Sequence, residues 1–230
     1  MSAKETPQAA LATDEEELDI EALLASPAEN GYFECAVPED FAPEEDEAPR
    51  PEQPIKARCL RDFTAIRTSG TRALSVVRWI VIHSTEGSSA RSSAQWFTNS
   101  QAQGSAHLVV DDIECYRTLK DEVIPWGAPG ANTMGWHLEL SGKAAWTRSQ
   151  WLDHKKTLRR GAFKAALMAK ELDIPVDVLN ASEIRQGRKG FVTHALCTEA
   201  FRTAGGHSDP GGNFARDTFM EMARTFRAEM

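Results

Sequence analysis

One stretch limits the possible folds more than any other: "ALSVVRWIVIHS", residues 73–84. It is rich in β-branched and aromatic residues and ends at a polar boundary, so it predicts a strand buried in a sheet. A buried strand needs cover above and below, and segments of helical texture supply it. "SARSSAQWFTNSQ" predicts a helix with Trp96 and Phe97 turned inward. "SAHLVVDD" and "GWHLELSG" predict further strands. Residues 149–172 predict one long basic amphipathic helix, with Trp151, Leu158, Ala162, Ala165, Leu167 and Met168 on its apolar face and Ser149 as N-cap. A last helix runs through "FARDTFMEMARTFRAEM". Strands alternating with helices indicate an α/β fold, a central sheet covered by helices, as a single domain over residues 53–230.

Charge divides the chain differently. Residues 1–52 hold 16 Asp and Glu against Lys4 and Arg50, with six of the eleven prolines, leaving 24 basic and 18 acidic residues in the remaining 178. Like charges repel and apolar side chains are few, so 1–52 reads as an acidic, Pro-rich, largely disordered arm. Within it "DEEELDIEALLAS" suits a short amphipathic helix carrying Leu18, Ile20, Leu23 and Leu24. The arm is either solvated or docked on the basic body or a partner. The basic residues of the body are dispersed and no stacking-aromatic motif accompanies them, which argues against nucleic acid as a partner.

Cys35, Cys59, Cys115 and Cys197 are too few and too scattered for a disulfide framework and form no CxxC pair, so a reducing compartment fits. The N-terminus lacks a secretory pattern and no apolar run approaches the ~18 residues of a membrane span, so a soluble product without membrane insertion is expected.

Three segments concentrate chemistry. His83 ends the strongest strand, a rigid mounting at the edge of a cleft. His194 lies in "GFVTHALCTEAF", and "GGHSDPGGNF" places His207 two residues before Asp209, with Pro210 behind the carboxylate. Two imidazoles and a carboxylate suit Zn²⁺ and leave a fourth tetrahedral position for water. Turn chemistry, with Asp209 capping a neighbouring amide, is the alternative reading of that loop. His154 among "DHKK" reads as solvated, and His137 as a strand residue facing away from Leu138.

In order, "WIVIHSTEG", "SAHLVVDD", "MGWHLELSG", "FVTHALCTEAF" and "GGHSDPGGNF" resemble the zinc-dependent type-2 N-acetylmuramoyl-L-alanine amidases, the superfamily shared by bacteriophage endolysins and peptidoglycan recognition proteins. The resemblance covers about residues 75–217. It implies a mixed sheet flanked by helices with a metal at one end, and bacterial peptidoglycan as partner. The bond cleaved would be the amide between N-acetylmuramic acid and L-alanine. Position by position, His83, His194 and Asp209 resemble the metal ligands, and Glu139 in "LELSG" the catalytic glutamate. His207 falls where many members carry Lys and would act in catalysis, donating to the oxyanion. It could instead be the second ligand with His194 behind it, although the family places its second histidine well upstream. His107 and Trp126 match positions near the cleft, His107 as structural support or substrate contact and Trp126 as substrate contact or loop anchor.

With Zn²⁺ lowering the pKa of bound water from 15.7 to about 7, Glu139 would serve as general base and then acid. A phage endolysin of this kind would wait in the host cytoplasm until released to the wall, or ride in the virion, acting as a monomer. A non-catalytic peptidoglycan-binding module and a zinc peptidase cutting within the stem or cross-link are the alternatives.

Overall fold

The computed structural model describes residues 58–203 and 206–230. The acidic arm 1–52 and its short helix lie outside the described residues. Among the described residues seven strands form in chain order: β1 (Thr68–Thr71), β2 (Trp79–Ser84), β3 (Leu108–Val110), β4 (Cys115–Arg117), β5 (Val123–Pro125), β6 (Gly135–Leu140) and β7 (Gly190–Thr193). The helices are α1 (Ala90–Trp96), α2 (Arg148–Asp153), α3 (Lys155–Glu171), α4 (Ala181–Arg185), α5 (His194–Phe201) and α6 (Arg216–Glu229). β1 and β5 pair apart from the main sheet, whose order is β4-β3-β6-β2-β7. β3, β6, β2 and β7 run parallel and β4 is antiparallel at the edge, giving the mixed sheet that the sequence implies.

The period of two along β2 and β6 divides the core. Ile80 and Ile82 join Trp136, Leu138 and Leu140 on one face, packed against Leu158 and Ala162 of α3 and Phe219 of α6. Trp79 and Val81 point to the other face, with Ile184 of α4 and Cys197 of α5. Val109 of β3, also on that face, packs under Ala90, Ala94 and Phe97 around α1. Between these last two clusters the face carries His83, His137 and Glu139, all buried. The helices leave a polar strip uncovered by apolar side chains, and the site lies in it.

Three local expectations are corrected. Leu74–Val76 forms a 3-10 turn, so the buried strand begins at Trp79 rather than at 73. The long helix is two helices, broken at His154, and α2 is capped by Thr147 in a capping box with Gln150 rather than by Ser149. The cause of the break lies outside the helix: Asp112, on the β3–β4 turn, accepts from the amide and hydroxyl of Thr157, each at 2.7 Å, and pairs with His154 Nδ1 at 3.1 Å. His154 is therefore held, with its ring stacked on Trp146 at 4.6 Å. Asp111 beside it accepts from the Ala90 amide and caps α1.

The third correction concerns the cysteines. Cys59 and Cys115 are joined in a disulfide, Cα atoms 4.8 Å apart, across 56 residues of sequence. A loop of that length is worth about 4 kcal/mol by chain entropy. The bond ties residues 58–60 to the edge strand β4, so two of the four scattered cysteines do pair. Cys197 is free and buried. Among the described residues no helix is long and apolar enough to cross a membrane.

Candidate metal centre

The site is built at the carboxyl ends of the parallel strands, the end where open α/β sheets bind ligands. His83 is the penultimate residue of β2 and stands in register with Glu139, the penultimate residue of β6. Parallel partners present their side chains to the same face, so the pairing directs both into the polar strip. His194 opens α5 immediately after β7. Thr193 caps that helix, its hydroxyl accepting from the Leu196 amide, and this sets the angle at which the His194 ring leaves the backbone.

Asp209 arrives from the glycine-rich loop. Its carbonyl accepts from the Ala195 amide at 3.1 Å, which ties the loop to the first turn of α5. Gly211 sits at φ +92°, and a Cβ there would meet the Ala144 carbonyl oxygen at 1.9 Å. Only glycine tolerates both that dihedral and that approach. Gly211 thus lets the loop press against Ala144 just behind the Asp209 carboxylate.

Three far-apart side chains converge. His83 Nδ1 lies 3.0 Å from Asp209 Oδ2, and His194 Nδ1 lies 2.9 Å from Asp209 Oδ1. One ligand atom from each of the three lies within 4.8 Å of the others. Two imidazole nitrogens and one carboxylate form a donor set suited to zinc, and separations near 3 Å are those of atoms that can share one small ion at about 2 Å each. Both histidines and Asp209 are largely shielded from water. Burial alone would raise the Asp209 carboxyl, but the His194 and His83 imidazoles beside it outweigh that and hold it well below the usual carboxylate range. Burial lowers His194, partly offset by the attraction of Asp209, so its ring is biased toward the neutral form that ligates.

Glu139 is the other half of the site. It is fully buried, and neither carboxylate oxygen has a hydrogen-bond partner among the described residues. Burial first, then the charges of Asp209 and Glu86, push its carboxyl well above the ordinary value. An unsatisfied buried carboxyl costs on the order of 1–3 kcal/mol, a cost a fold tolerates where the group has chemistry to perform.

His207 stacks on His194, centroids 4.2 Å apart and planes 16° from parallel. His207 therefore lies alongside the second histidine of the cluster, and the converging donor set contains His194. The fully buried His107 accepts the His137 amide at Nδ1 and lies 3.0 Å through Nε2 from the Val123 carbonyl. Both ring nitrogens are engaged and no surface is exposed, the arrangement of the structural alternative. Trp126 anchors its loop: Nε1 donates to Ser69 Oγ at 2.8 Å, and Arg67 lies over the ring.

The sequence pattern assigns His137 no part in the site, yet its Nδ1 lies 2.9 Å from His83 Nε2. Gly127 makes room for it, since a Cβ there would fall 2.3 Å from His137 Nδ1. Burial, then the neighbouring His83 and His107, lower its pKa well below the usual imidazole value, so its ring is held neutral. The signal that could have found it is parity, because His137 and Glu139 are two apart on one strand and share a face. Next to the cluster, a cleft of about 460 Å³ opens between the glycine-rich loop and α5, lined by Thr193, Ala195, Ser208, Gly211 and Arg148 among others.

Residues 73–212 match the family model described as N-acetylmuramoyl-L-alanine amidase. No curated protein matches the sequence. Among solved structures, the Staphylococcus aureus hydrolase AmiA, in complex with its ligand, superposes with a TM-score of 0.58 at 18% identity, over 74% of this chain and 83% of that one. The catalytic domain of XlyA gives 0.52 at 18% identity, over 72% and 99%. A mutant endolysin from Bacillus subtilis gives 0.51 at 17%, over 72% and 98%. At these identities the structural likeness speaks for the fold, while the family match covers most of the described domain and spans His83, Glu139, His194 and Asp209. The chain belongs to the type-2 N-acetylmuramoyl-L-alanine amidase family, enzymes that act on peptidoglycan.

Proposed function

We propose that the protein is a zinc-dependent hydrolase that cleaves the amide between N-acetylmuramic acid and the L-alanine of the stem peptide, acting on the wall as an endolysin. The observation that carries this reading is the meeting of His83 Nδ1, His194 Nδ1 and both oxygens of Asp209 beside an unsatisfied, buried Glu139. The disulfide supports action in an oxidising space at the wall, reached by release from the host cytoplasm in which a phage product would be made. A monomer suffices, because one chain supplies the whole constellation.

His83, His194 and Asp209 would hold the ion. Bound there, zinc would polarise the scissile carbonyl and bring the ionisation of water close to neutral pH. The protein's own groups do the rest. To offer Nδ1 to a cation, neutral His83 must keep its proton on Nε2, from which it donates to His137 Nδ1. That bond fixes both tautomer and ring orientation, the service a second layer of hydrogen bonds gives a metal-binding imidazole. Glu139 accepts the proton of the attacking water on a carboxylate oxygen and returns it to the alanine nitrogen as the C–N bond breaks. Its raised proton affinity suits that exchange. His207, oriented by its stack on His194, donates to the developing oxyanion, a contact typically worth ~3 kcal/mol of barrier.

Digestion of purified peptidoglycan with and without a chelator, followed by mass spectrometry, tests the proposal. Intact stem peptides with a free alanine N-terminus, lost on chelation and restored by Zn²⁺, are expected. Cuts inside the stem or cross-link would replace this reading with a peptidase, and wall binding without products would replace it with a binding module.

A further inference from the structure

Glu86 stands in the turn that leaves β2, three residues past His83, and its backbone lies in the left-handed region at φ +54°. Residues with a long side chain rarely adopt that conformation, and the strain persists only where the surroundings hold it. The turn itself does not require the carboxylate, because Thr85 Oγ1 already closes it by accepting the Gly87 amide at 3.0 Å. The Glu86 side chain reaches elsewhere. Its Oε1 accepts from the hydroxyl of Ser84 at 2.8 Å and from the amide of Ala144 at 2.7 Å. Ser84 is buried, ends β2 and follows His83 directly. Ala144 belongs to the segment between β6 and α2, and its carbonyl oxygen is the atom that a Cβ at Gly211 would meet. Gly211 is two residues past Asp209. One carboxylate oxygen thus joins the residue after His83 to the surface that backs Asp209, 126 positions further along the chain.

We propose that Glu86 is a positioning residue of the metal centre: by fixing Ala144 it fixes the surface against which Gly211 packs, and so holds the Asp209 carboxylate where His83 and His194 can share an ion with it. The role rests on the reading of His83, His194 and Asp209 as zinc ligands. Of the three, Asp209 is the one that needs such support. His83 is mounted on a strand and His194 on the first turn of a helix, whereas Asp209 comes from a loop. Two contacts locate that loop, the Ala195 amide on the Asp209 carbonyl and the approach of Gly211 to Ala144, and Glu86 anchors the second. The acceptor oxygen matters here rather than the charge, because both donors are neutral and no cation pairs with Glu86 among the described residues. A neutral amide of the same reach would therefore serve.

The test measures metal affinity and folding separately on the full chain, with Zn²⁺ alone as the probe in competition against a chromophoric chelator and thermal melts of the metal-free protein alongside. Glu86→Ala removes the acceptor and should weaken zinc binding by about tenfold, the scale of loss when an outer support of a metal ligand is taken away. Glu86→Gln keeps an acceptor at the same reach and should restore native affinity. Glu86→Gly also removes the acceptor but occupies φ +54° without strain, so it should melt above Glu86→Ala while binding zinc just as weakly. Zinc affinity that follows the melting temperature, with the glycine variant recovering both, overturns the proposal and leaves Glu86 a role in folding only. Native affinity in Glu86→Ala overturns it too, as does a glutamine variant as weak as the alanine one, which would assign the effect to charge. A native chain that binds no zinc is a separate failure, seen before any variant is compared: it removes the reading of the metal centre and this role with it.

Discussion

The two ends of one sheet carry opposite chemistry. At the carboxyl end, imidazoles and carboxylates face each other across a few ångströms, and burial disfavours the charged form of the Glu139 carboxyl. At the amino end, Lys164 and Arg117 line one cavity, and the disfavoured charge is the ammonium of Lys164. Burial is the first cause of both shifts, in opposite directions because it penalises whichever form is charged. The lesson is that a buried titratable group by itself does not identify a catalytic site. The carboxyl end is distinguished by three donors meeting at a point suited to an ion, with a buried carboxyl in register beside them. Among the described residues no such group of donors meets at the amino end.

That contrast breaks most sharply at Glu139. Glu139→Gln should lower wall lysis by about 10³-fold, at the middle of the range for loss of a general acid–base group. It should leave the melting temperature equal or higher, because it removes a buried carboxyl with no partner among the described residues. Asp209→Ala should abolish lysis as well, with a native circular dichroism spectrum. Turbidity loss of wall suspensions and thermal melts of the same samples check both, and lysis at the native rate in either variant would remove the catalytic assignment.

His137 tests the same end at smaller scale. His137→Leu keeps the volume but takes away the acceptor for His83 Nε2, and should cost about 10–100-fold in zinc affinity. Competition against a chromophoric chelator measures this without any substrate. Native affinity would reduce His137 to packing between Gly127 and Gly135.

Legibility in the sequence follows the range of the interaction. The buried strand at Trp79–Ser84, the helical cover and the α/β class were visible because period and composition are local. His83, Glu139, His194 and Asp209 were visible through motifs, and the register pairing His83 with Glu139 explains why two strand-end residues far apart in sequence belong together. What was hidden depends on partners that no window contains. The break at His154 is set by Asp112 on a distant turn, the disulfide by the approach of residue 59 to β4, and the burial of His107 by β5 and β6 closing around it. The cavity at the amino end draws on basic residues 58, 61, 117 and 164, which share no period, so charge dispersed in the sequence is brought together only by folding.

The smallest expected effect lies at that amino end and concerns stability rather than activity. Lys164 has a folded-state pKa of about 8 against 10.5 unfolded. Between these values the unfolded chain binds more protons than the folded one, so stability rises with pH across this window. The destabilisation is full below about pH 8 and fades as the ammonium of the unfolded chain also loses its proton. Because water still reaches part of the cavity, the gain is about 1–2 kcal/mol rather than the whole of the shift. Denaturant melts from pH 7 to 10.5 should show this upward slope in the native chain and its disappearance in Lys164→Met, which should already be the more stable of the two at pH 7. If the slope persists in the variant, another group produces it, and burial of a cation at the amino end no longer distinguishes that end from the rest of the surface.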